Sequence, residues 1–494
     1  MIVKNGDHYA FFRGKGAHQP ARCRVPAQTN KTFKAWDNNL QFNGQNRVRQ
    51  VEWLQRKVLE NKQEGVEVLP HQVASFPPRE EIPRGDSSVL GRMACVLVRK
   101  QIEIARAAML RELCSPVLGS GNSLGRRIVE SWGVEPVVET LSVRSAFDLY
   151  LAERDWSVGS EIVMSGANVP DMTIIAKHHG LRVRAVDFDL CELAPSADAF
   201  AQAIGARTRA VVFTQLFGAL VDLTPISRLI RERDIDLVED AAQAFDGSYR
   251  GYQQATVSMF SFGPIKTLTA LGGAVSTVRD PKLADAMRER LRRQPAASAL
   301  AFRKRLAKYI VLTTMSRPWI LGFISRRLAR RGRDLDDLLS ESARSFAGRD
   351  LIFAIRERPS RPQRRLLARR LAEAHVTEFL ARAAKGRRLA QRLGDHVDVP
   401  GRPGVDHAYW VFPVLCDNPG ELVAALRSHG FDATRRATLA PIGAGLPRLE
   451  RDFGRLVYLP FAASYTDADL DRLADVVEVH ARARVIPGSY SGAV

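Results

Sequence analysis

Between about residues 90 and 285, short runs of β-branched and aromatic residues alternate with stretches whose apolar positions recur at helical spacing. The strand-like runs are Glu161–Met164, Val183–Phe188, Arg209–Thr214, Ile235–Glu239, Val257–Phe262 and Gly273–Thr277. Most are unbroken apolar blocks, which fit strands covered on both faces. Between them, Asp171–His179, Leu223–Arg233 and Asp280–Leu291 have the spacing of helices. Sustained alternation of strand and helix predicts an α/β domain built on a mostly parallel sheet with helices on both sides. Ligands of such sheets bind at the carboxyl ends of the strands.

The pattern weakens on either side of this region. Residues 1–85 are polar, rich in Asn and Gln, and end in Phe76-Pro77-Pro78 and Ile82-Pro83-Arg84-Gly85, so they read as a loosely ordered N-terminal extension. After the large domain, assigned to 86–287, residues 288–358 read as a basic helical insertion and 359–494 as a small C-terminal domain. In that last part Gln363–Leu393 predicts one long helix, and Ala408–Cys416, Leu422–Ser428, Arg455–Leu459 and Asp467–His480 predict a strand, helix, strand, helix ending of α+β type.

Composition narrows the class. The 494 residues are 45% apolar and 26% charged, which excludes a wholly disordered chain, a collagen-like repeat and a coiled-coil rod. The formal net charge is +19, but 23 Arg and Lys face only seven Asp and Glu between 288 and 370, so an excess of 16 sits there. Three readings of that basic segment stay open: a solvated helical face, peripheral contact of 295–350 with anionic lipid, and contact with nucleic acid. The lipid reading rests on Trp319, Ile320, Leu321, Phe323 and Ile324 lying among Arg326, Arg327, Arg330 and Arg331. No recognised module surrounds the segment to favour nucleic acid.

Cys23, Cys95, Cys114, Cys191 and Cys416 are scattered without a CxxC pair, which argues against a disulfide framework or a metal site and for a reducing compartment. The first thirty residues lack the apolar core of a secretory signal. The longest apolar stretch, Tyr309–Ile324, is interrupted by Arg317-Pro318 and falls short of the ~20 residues of a spanning helix. The default expectation is a soluble cytoplasmic protein.

The chemistry concentrates in two blocks. Val238-Glu239-Asp240-Ala241-Ala242-Gln243 closes a buried strand on an acid, and Phe260-Ser261-Phe262-Gly263-Pro264-Ile265-Lys266 follows the next strand with a tight turn and a lysine. Asp240 and Lys266 are thereby expected on one rim of the sheet. A lysine beside an electron-poor pyridine ring, with a carboxylate to keep the ring nitrogen protonated, is what pyridoxal-phosphate chemistry requires. Read blandly, Asp240 is a helix N-cap, Ser261 an ordinary strand serine and Lys266 a solvated surface group. Gly263-Pro264-Ile265-Lys266-Thr267 lacks the spacing of a phosphate-binding P-loop, and Gly119–Gly125 has one residue too many for a dinucleotide fingerprint. His178-His179 has no second ligand pair and reads as surface.

These blocks resemble those of the DegT/DnrJ/StrS family of pyridoxal-phosphate-dependent sugar aminotransferases, which have the fold-type-I (aspartate aminotransferase) architecture. The E-D-A-A-Q/H block is Glu239–Gln243, the F-S-F-x-x-x-K block is Phe260–Lys266, and the trailing G-G-A is Gly272–Ala274. Weaker likeness runs through Ser142–Ser165, Val186–Asp189, Phe217-Gly218, His407–Leu415 and Leu459-Pro460. The resemblance implies that Lys266 is catalytic and joins the cofactor as a Schiff base, Asp240 pairs with the ring nitrogen, Gln243 reaches the ring hydroxyl, and Ser261 binds the phosphate; backbone amides at the start of the helix at Val143-Arg144, with the Arg144 charge, suit the same anion. It further implies pyridoxal 5'-phosphate as cofactor, an amino-acid donor such as glutamate, a keto-sugar acceptor, nucleotide-linked and of polysaccharide or glycoconjugate biosynthesis, and a homodimer.

Three positions depart from the family pattern. Val143-Arg144 stand where the family has Gly-Thr, Val169 where it has an aromatic ring, and Arg356 where it has an Asn contributed by the partner subunit. They motivate a second reading, a catalytically idle family member that acts as a peripheral membrane or assembly protein through its basic insertion.

Overall fold

The computed structural model describes residues 2–5, 8–11, 97, 99, 102–116, 121–315, 350–401, 405–436 and 438–481. The chain divides into two compact units, Met1–Arg84 and Gly85–Val494. In the first, strands Ile2–Asn5 and His8–Phe11 pair antiparallel. The loosely ordered extension expected over the rest of 1–85, and the apolar and basic residues 319–331 on which the lipid reading rests, lie outside the described residues.

The second unit is built on a seven-stranded sheet. Its strands are β1 (Val137–Thr140), β2 (Glu161–Ser165), β3 (Arg182–Val186), β4 (Thr208–Thr214), β5 (Asp236–Asp240), β6 (Val257–Ser261) and β7 (Ala274–Val278). Their order across the sheet is β1-β7-β6-β5-β4-β2-β3. Strand β7 runs antiparallel to both neighbours, and every other pairing is parallel. All strands except β7 therefore share one direction and end at one rim. Strand β1 is not among the expected strands.

Fourteen helices are found among the described residues. The first seven are α1 (Arg106–Cys114), α2 (Gly121–Trp132), α3 (Val143–Arg154), α4 (Pro170–His178), α5 (Ala197–Ala203), α6 (Thr224–Ile230) and α7 (Pro281–Arg293). The rest are α8 (Ala299–Met315), α9 (Leu351–Ile355), α10 (Arg361–Ala372), α11 (Val376–Leu393), α12 (Pro419–Ser428), α13 (Pro447–Arg455) and α14 (Asp467–His480).

Side-chain alternation along the strands assigns these helices to layers. Ile162, Met164, Val212 and Val238 pack with Phe147, Tyr150, Ile175 and Met287 of α3, α4 and α7. The alternate residues Val163, Val211, Phe213 and Leu237 pack instead with Phe200 and Ile226 of α5 and α6. On that second face, Phe260 and Val275 join Ile128 and Trp132 of α2, Phe302 and Leu306 of α8, and Leu366 of α10. Both faces are thus buried, as the apolar blocks predict.

The C-terminal part differs from expectation in three places. The single long helix is two, with Glu373 ending α10 and His375 preceding α11. The strand expected over 408–416 is shortened to β8 (Phe412–Leu415), because Tyr409 adopts φ +47°, outside extended geometry. It pairs antiparallel with β9 (Leu456–Leu459). Helix α13 has no counterpart in the expected elements, whereas α14 starts and ends where expected, its start set by the Thr466–Asp469 capping box.

In its described part the basic segment is mixed: Arg292 and Arg293 are exposed, whereas other guanidiniums are tied into the fold. Helix α7 crosses position 288, and Arg288 donates to the carbonyl of Val137 at 2.9 Å. Arg290 pairs with Glu153, Arg364 with Glu139, and Arg305 donates to the carbonyl of Leu271 at 3.1 Å. Glu112 of α1, 0% exposed, receives Arg365 at 2.6 Å, with Arg369 at 3.6 Å. These guanidiniums tie the helices to one another and to the sheet.

Glycines permit two close approaches, one within the C-terminal part and one between it and the sheet domain. A side chain at Gly386 of α11 would collide with the ring of Tyr409. Gly218, at φ +101°, sits where a Cβ would lie 2.6 Å from the backbone nitrogen of Trp410. Beside it, Asp406–His407 pairs antiparallel with Ala219–Leu220. His407 is buried, its Nδ1 accepts the Tyr409 N–H at 2.8 Å, and burial pushes its pKa down to about 3.

Two consequences are measurable. Glu112→Ala leaves two partly buried guanidiniums without their carboxylate and is expected to cost up to about 3 kcal/mol in chemical denaturation. For His407 the unfolded chain binds the proton more readily than the folded one, so stability present above the unfolded value of 6.5 is lost as pH falls toward 3. From pH 7.5 to 5 this group alone removes about 2 kcal/mol, and His407→Asn is expected to abolish that part of the acid dependence.

Candidate functional site

Strand β5 ends in two acids that point to opposite faces. Glu239 is fully buried and accepts from Ser258 Oγ at 2.6 Å, Tyr249 Oη at 2.7 Å, the Tyr252 N–H at 2.9 Å and Gln215 Nε2 at 3.0 Å. That carboxylate is spent on structure, knitting β5 to β6 and to the loop after it. The Glu239 charge and burial together hold the Tyr249 phenol far above its usual range.

Asp240, 5% exposed, sits at the carboxyl end of the same strand. It accepts the Ala242 N–H at 3.1 Å and a hydrogen bond from Asn168. Burial raises its pKa above the ordinary carboxylate value, against the opposing pull of those hydrogen bonds and of the Lys266 and Arg144 charges. A buried acid facing two cations is primed to accept a further positive partner.

Lys266 follows β6 through the Gly263-Pro264-Ile265 turn, closed by its own N–H donating to the Gly263 carbonyl at 3.1 Å. Its Nζ lies 3.6 Å from the centroid of the Trp410 ring, and the Trp410 indole N–H donates to the Ile265 carbonyl at 2.8 Å. The two residues line a cleft with Arg99, Glu103, Arg382 and Phe461. Arg382, 3% exposed, donates to the carbonyls of Tyr409 at 2.9 Å and Trp410 at 3.2 Å and pairs with Glu103 at 2.7 Å. Burial raises the Glu103 carboxyl despite that pairing.

The start of α3 faces the same rim, since it follows the carboxyl end of β1. Ser142 caps it, its Oγ accepting the Ser145 N–H at 3.1 Å, and Val143 is buried. Free amides at a helix start favour an anion. Arg144 adds positive charge there, with its Nε held by Asp171 at 2.5 Å. Ser261 ends β6, half-buried.

Asp240, Lys266 and Arg144 are therefore brought together, and Val143 and Ser261 lie at ends of elements on the same rim. Gln243 is engaged elsewhere: its Oε1 accepts the Phe217 N–H at 2.9 Å and holds the Phe217-Gly218 turn. Arg356 makes a two-pronged pair with Asp148 of α3, at 2.8 and 2.9 Å within its own chain. His179 is not a surface group: its Nε2 lies 2.9 Å from Asp148 and its side chain is 15% exposed, while His178 is exposed. No group of metal-ligating side chains occurs among the described residues.

Sequence reasoning missed Asn168, Trp410, Arg382 and Glu103. Asn168 is buried and also donates to Thr214 Oγ1 at 2.8 Å, so it bridges the ends of β2 and β4 to Asp240. A buried Asn directly after a buried strand was the available signal. Trp410 lies 145 residues from its carbonyl partner, and nothing local marks it.

Residues 120–308 match the model of the DegT/DnrJ/EryC1/StrS aminotransferase family. The chain is 33% identical over 167 residues to L-glutamine:2-deoxy-scyllo-inosose aminotransferase of Streptomyces fradiae, covering 32% of this chain and 38% of that protein. It is 29% identical over 182 residues to GDP-perosamine synthase of Caulobacter vibrioides, covering 34% and 48%. To dTDP-4-dehydro-2,3,6-trideoxy-D-glucose 4-aminotransferase of Saccharopolyspora spinosa it is 25% identical over 353 residues, covering 69% and 84%. The chain thus spans less than half the length of the first two relatives. The solved structure of the aminotransferase TlmJ from Streptoalloteichus hindustanus is similar at TM-score 0.56 and 21% identity, covering 78% of this chain and 98% of that one, which establishes the shared fold. Both signature blocks, and the sheet that presents them, lie inside the region that is similar to the DegT/DnrJ/EryC1/StrS aminotransferase family.

Proposed function

We propose that this chain is a pyridoxal-phosphate-dependent aminotransferase that moves an amino group from an amino-acid donor, glutamate in our reading, to a nucleotide-linked keto-sugar. The observation that carries the proposal is the buried Asp240 carboxylate, electrostatically coupled to Lys266 and Arg144 at the carboxyl rim of the sheet. The sugar class is supported by relatives whose names carry GDP- and dTDP-sugars. Use in polysaccharide or glycoconjugate biosynthesis, a homodimeric state and a cytoplasmic site are parts of the same proposal.

The residues fit the cofactor. A protonated ring nitrogen supplies the positive partner that the buried Asp240 calls for, and a phosphate matches the α3 amides, Arg144 and the Ser261 hydroxyl. Lys266 is the amine available for covalent attachment. Gln243, committed to the Phe217 N–H through Oε1, retains its Nε2 for a ring substituent. Pyridoxal phosphate, when bound, supplies a ring that withdraws electrons from a carbon losing its proton.

Asp240 keeps positive charge on the ring nitrogen, where burial strengthens the attraction. Asn168 and the Ala242 N–H orient that carboxylate. Lys266 Nζ, as the free amine, takes the proton from the amine-bearing carbon of the donor, and as the ammonium it returns one to the acceptor carbon. The Ser142-capped start of α3 and Arg144 anchor the anionic end, which fixes the reacting carbon relative to Lys266. The idle-member reading draws support from Val143, Val169 and Arg356, and the residues 319–331 on which its membrane contact rests lie outside the described residues.

Purified protein is expected to show a visible absorption band that Lys266→Ala abolishes and glutamate bleaches; no band after addition of cofactor favours the idle member. Asp240→Asn is expected to slow turnover roughly 10–100-fold, the worth of one charge-assisted hydrogen bond. The cofactor-free variant should melt no lower than the unaltered protein at neutral pH, because burial disfavours the carboxylate it replaces.

A further inference from the structure

Trp410 comes from the C-terminal part of the fold and covers Lys266, and nothing in the proposed reaction yet uses it. Its indole makes two separate contacts with the lysine turn. The N–H donates to the Ile265 carbonyl at 2.8 Å, which fixes the turn, and the ring face lies 3.6 Å from Lys266 Nζ, well inside cation–π range. The indole is itself held from behind. Arg382 grips the carbonyls of Tyr409 and Trp410, stacks 5.0 Å from the Phe461 ring and is neutralised by Glu103 at 2.7 Å.

We propose that Trp410 is a positioning residue for Lys266, its ring face holding the amine as an ammonium inside the site in the cofactor-free chain. The inference rests on the reading of Lys266 as the cofactor-linking lysine. A cation–π contact favours the charged form of an amine and opposes its departure. The other charges around this amine are Arg99, Arg382 and Arg144, which disfavour an ammonium, and Glu103 and Asp240, which favour one. Glu103 is already committed to Arg382, and Asp240 is the partner set aside for the cofactor. The aromatic face adds a neutral contact that favours the ammonium beside these guanidiniums.

The test uses the cofactor-free full-length chain, so it is independent of turnover. Unaltered protein, Trp410→Phe and Trp410→Leu are reductively methylated with formaldehyde and cyanoborohydride over a pH series. Modification at Lys266 is quantified by peptide mass spectrometry, with exposed Lys304 as internal reference. Only the neutral amine reacts, so the midpoint of rate against pH reports the ammonium's stability. Trp410→Leu is expected to lower the Lys266 midpoint by about 0.5–1.5 pH units, to below that of Lys304. Trp410→Phe, which keeps a ring but loses the N–H, is expected to shift it by less, and the Lys304 midpoint should not move. An unchanged Lys266 midpoint overturns the proposal, as does one that merely converges on that of Lys304, the result of a loosened turn. Should Trp410→Leu fail to fold, an unchanged midpoint in Trp410→Phe is the overturning result. Failure of the underlying reading shows separately, as an absorption band that survives Lys266→Ala.

Discussion

A carboxylate taken out of water must be given partners, and the two that end β5 are given them in opposite ways. Glu239 is saturated by hydrogen bonds from Ser258, Tyr249, Tyr252 and Gln215, and it welds strand to strand and strand to loop. Asp240, one residue on and facing the other way, accepts from Ala242 and Asn168 and faces the Lys266 and Arg144 charges. Because the strand is rigidly placed by its neighbour, the Asp240 carboxylate is held at a fixed point on the rim. Everything proposed for Lys266, Arg144 and the start of α3 is measured from that point.

The second organising element is Arg382. One buried guanidinium collects Glu103 from ahead of α1, two carbonyls from the segment before β8, and the Phe461 ring from beyond β9. Planar donors in a fixed fork suit this task, whereas an ammonium would satisfy fewer carbonyls at defined angles. Gly218 and Gly386 make the same junction possible by omission, one admitting the Trp410 backbone and the other the Tyr409 ring.

How much was legible in the sequence follows from the distance over which each signal acts. Strands β2, β4, β5 and β6 announce themselves as apolar blocks, and the chemistry of Asp240 and Lys266 is carried by contiguous motifs. Strand β1 escapes notice because Val137-Val138-Glu139-Thr140 offers only two apolar residues, and Glu139 is explained only by Arg364, 225 positions away. The break between α10 and α11 falls at Glu373-Ala374-His375, which contains neither Gly nor Pro. The basic segment was the most misleading feature. Counting charge along the chain hides the fact that Glu112, Glu139, Asp148 and Glu153 answer those arginines in space. Likewise Arg356, set where the family has an Asn, and His179, read locally as surface, converge on one buried aspartate.

The Arg382 junction also bears on how the protein is made. Its guanidinium and its counter-ion are 279 residues apart in sequence, and its aromatic partner comes later still. During synthesis the sheet and the Lys266 turn can form while the lysine still lacks its cover, and the cleft closes only when Phe461 has left the ribosome. For that interval a nucleophilic amine stands open to whatever aldehydes the nascent chain meets. Completion of the fold and protection of the reactive group are, in this architecture, one late event.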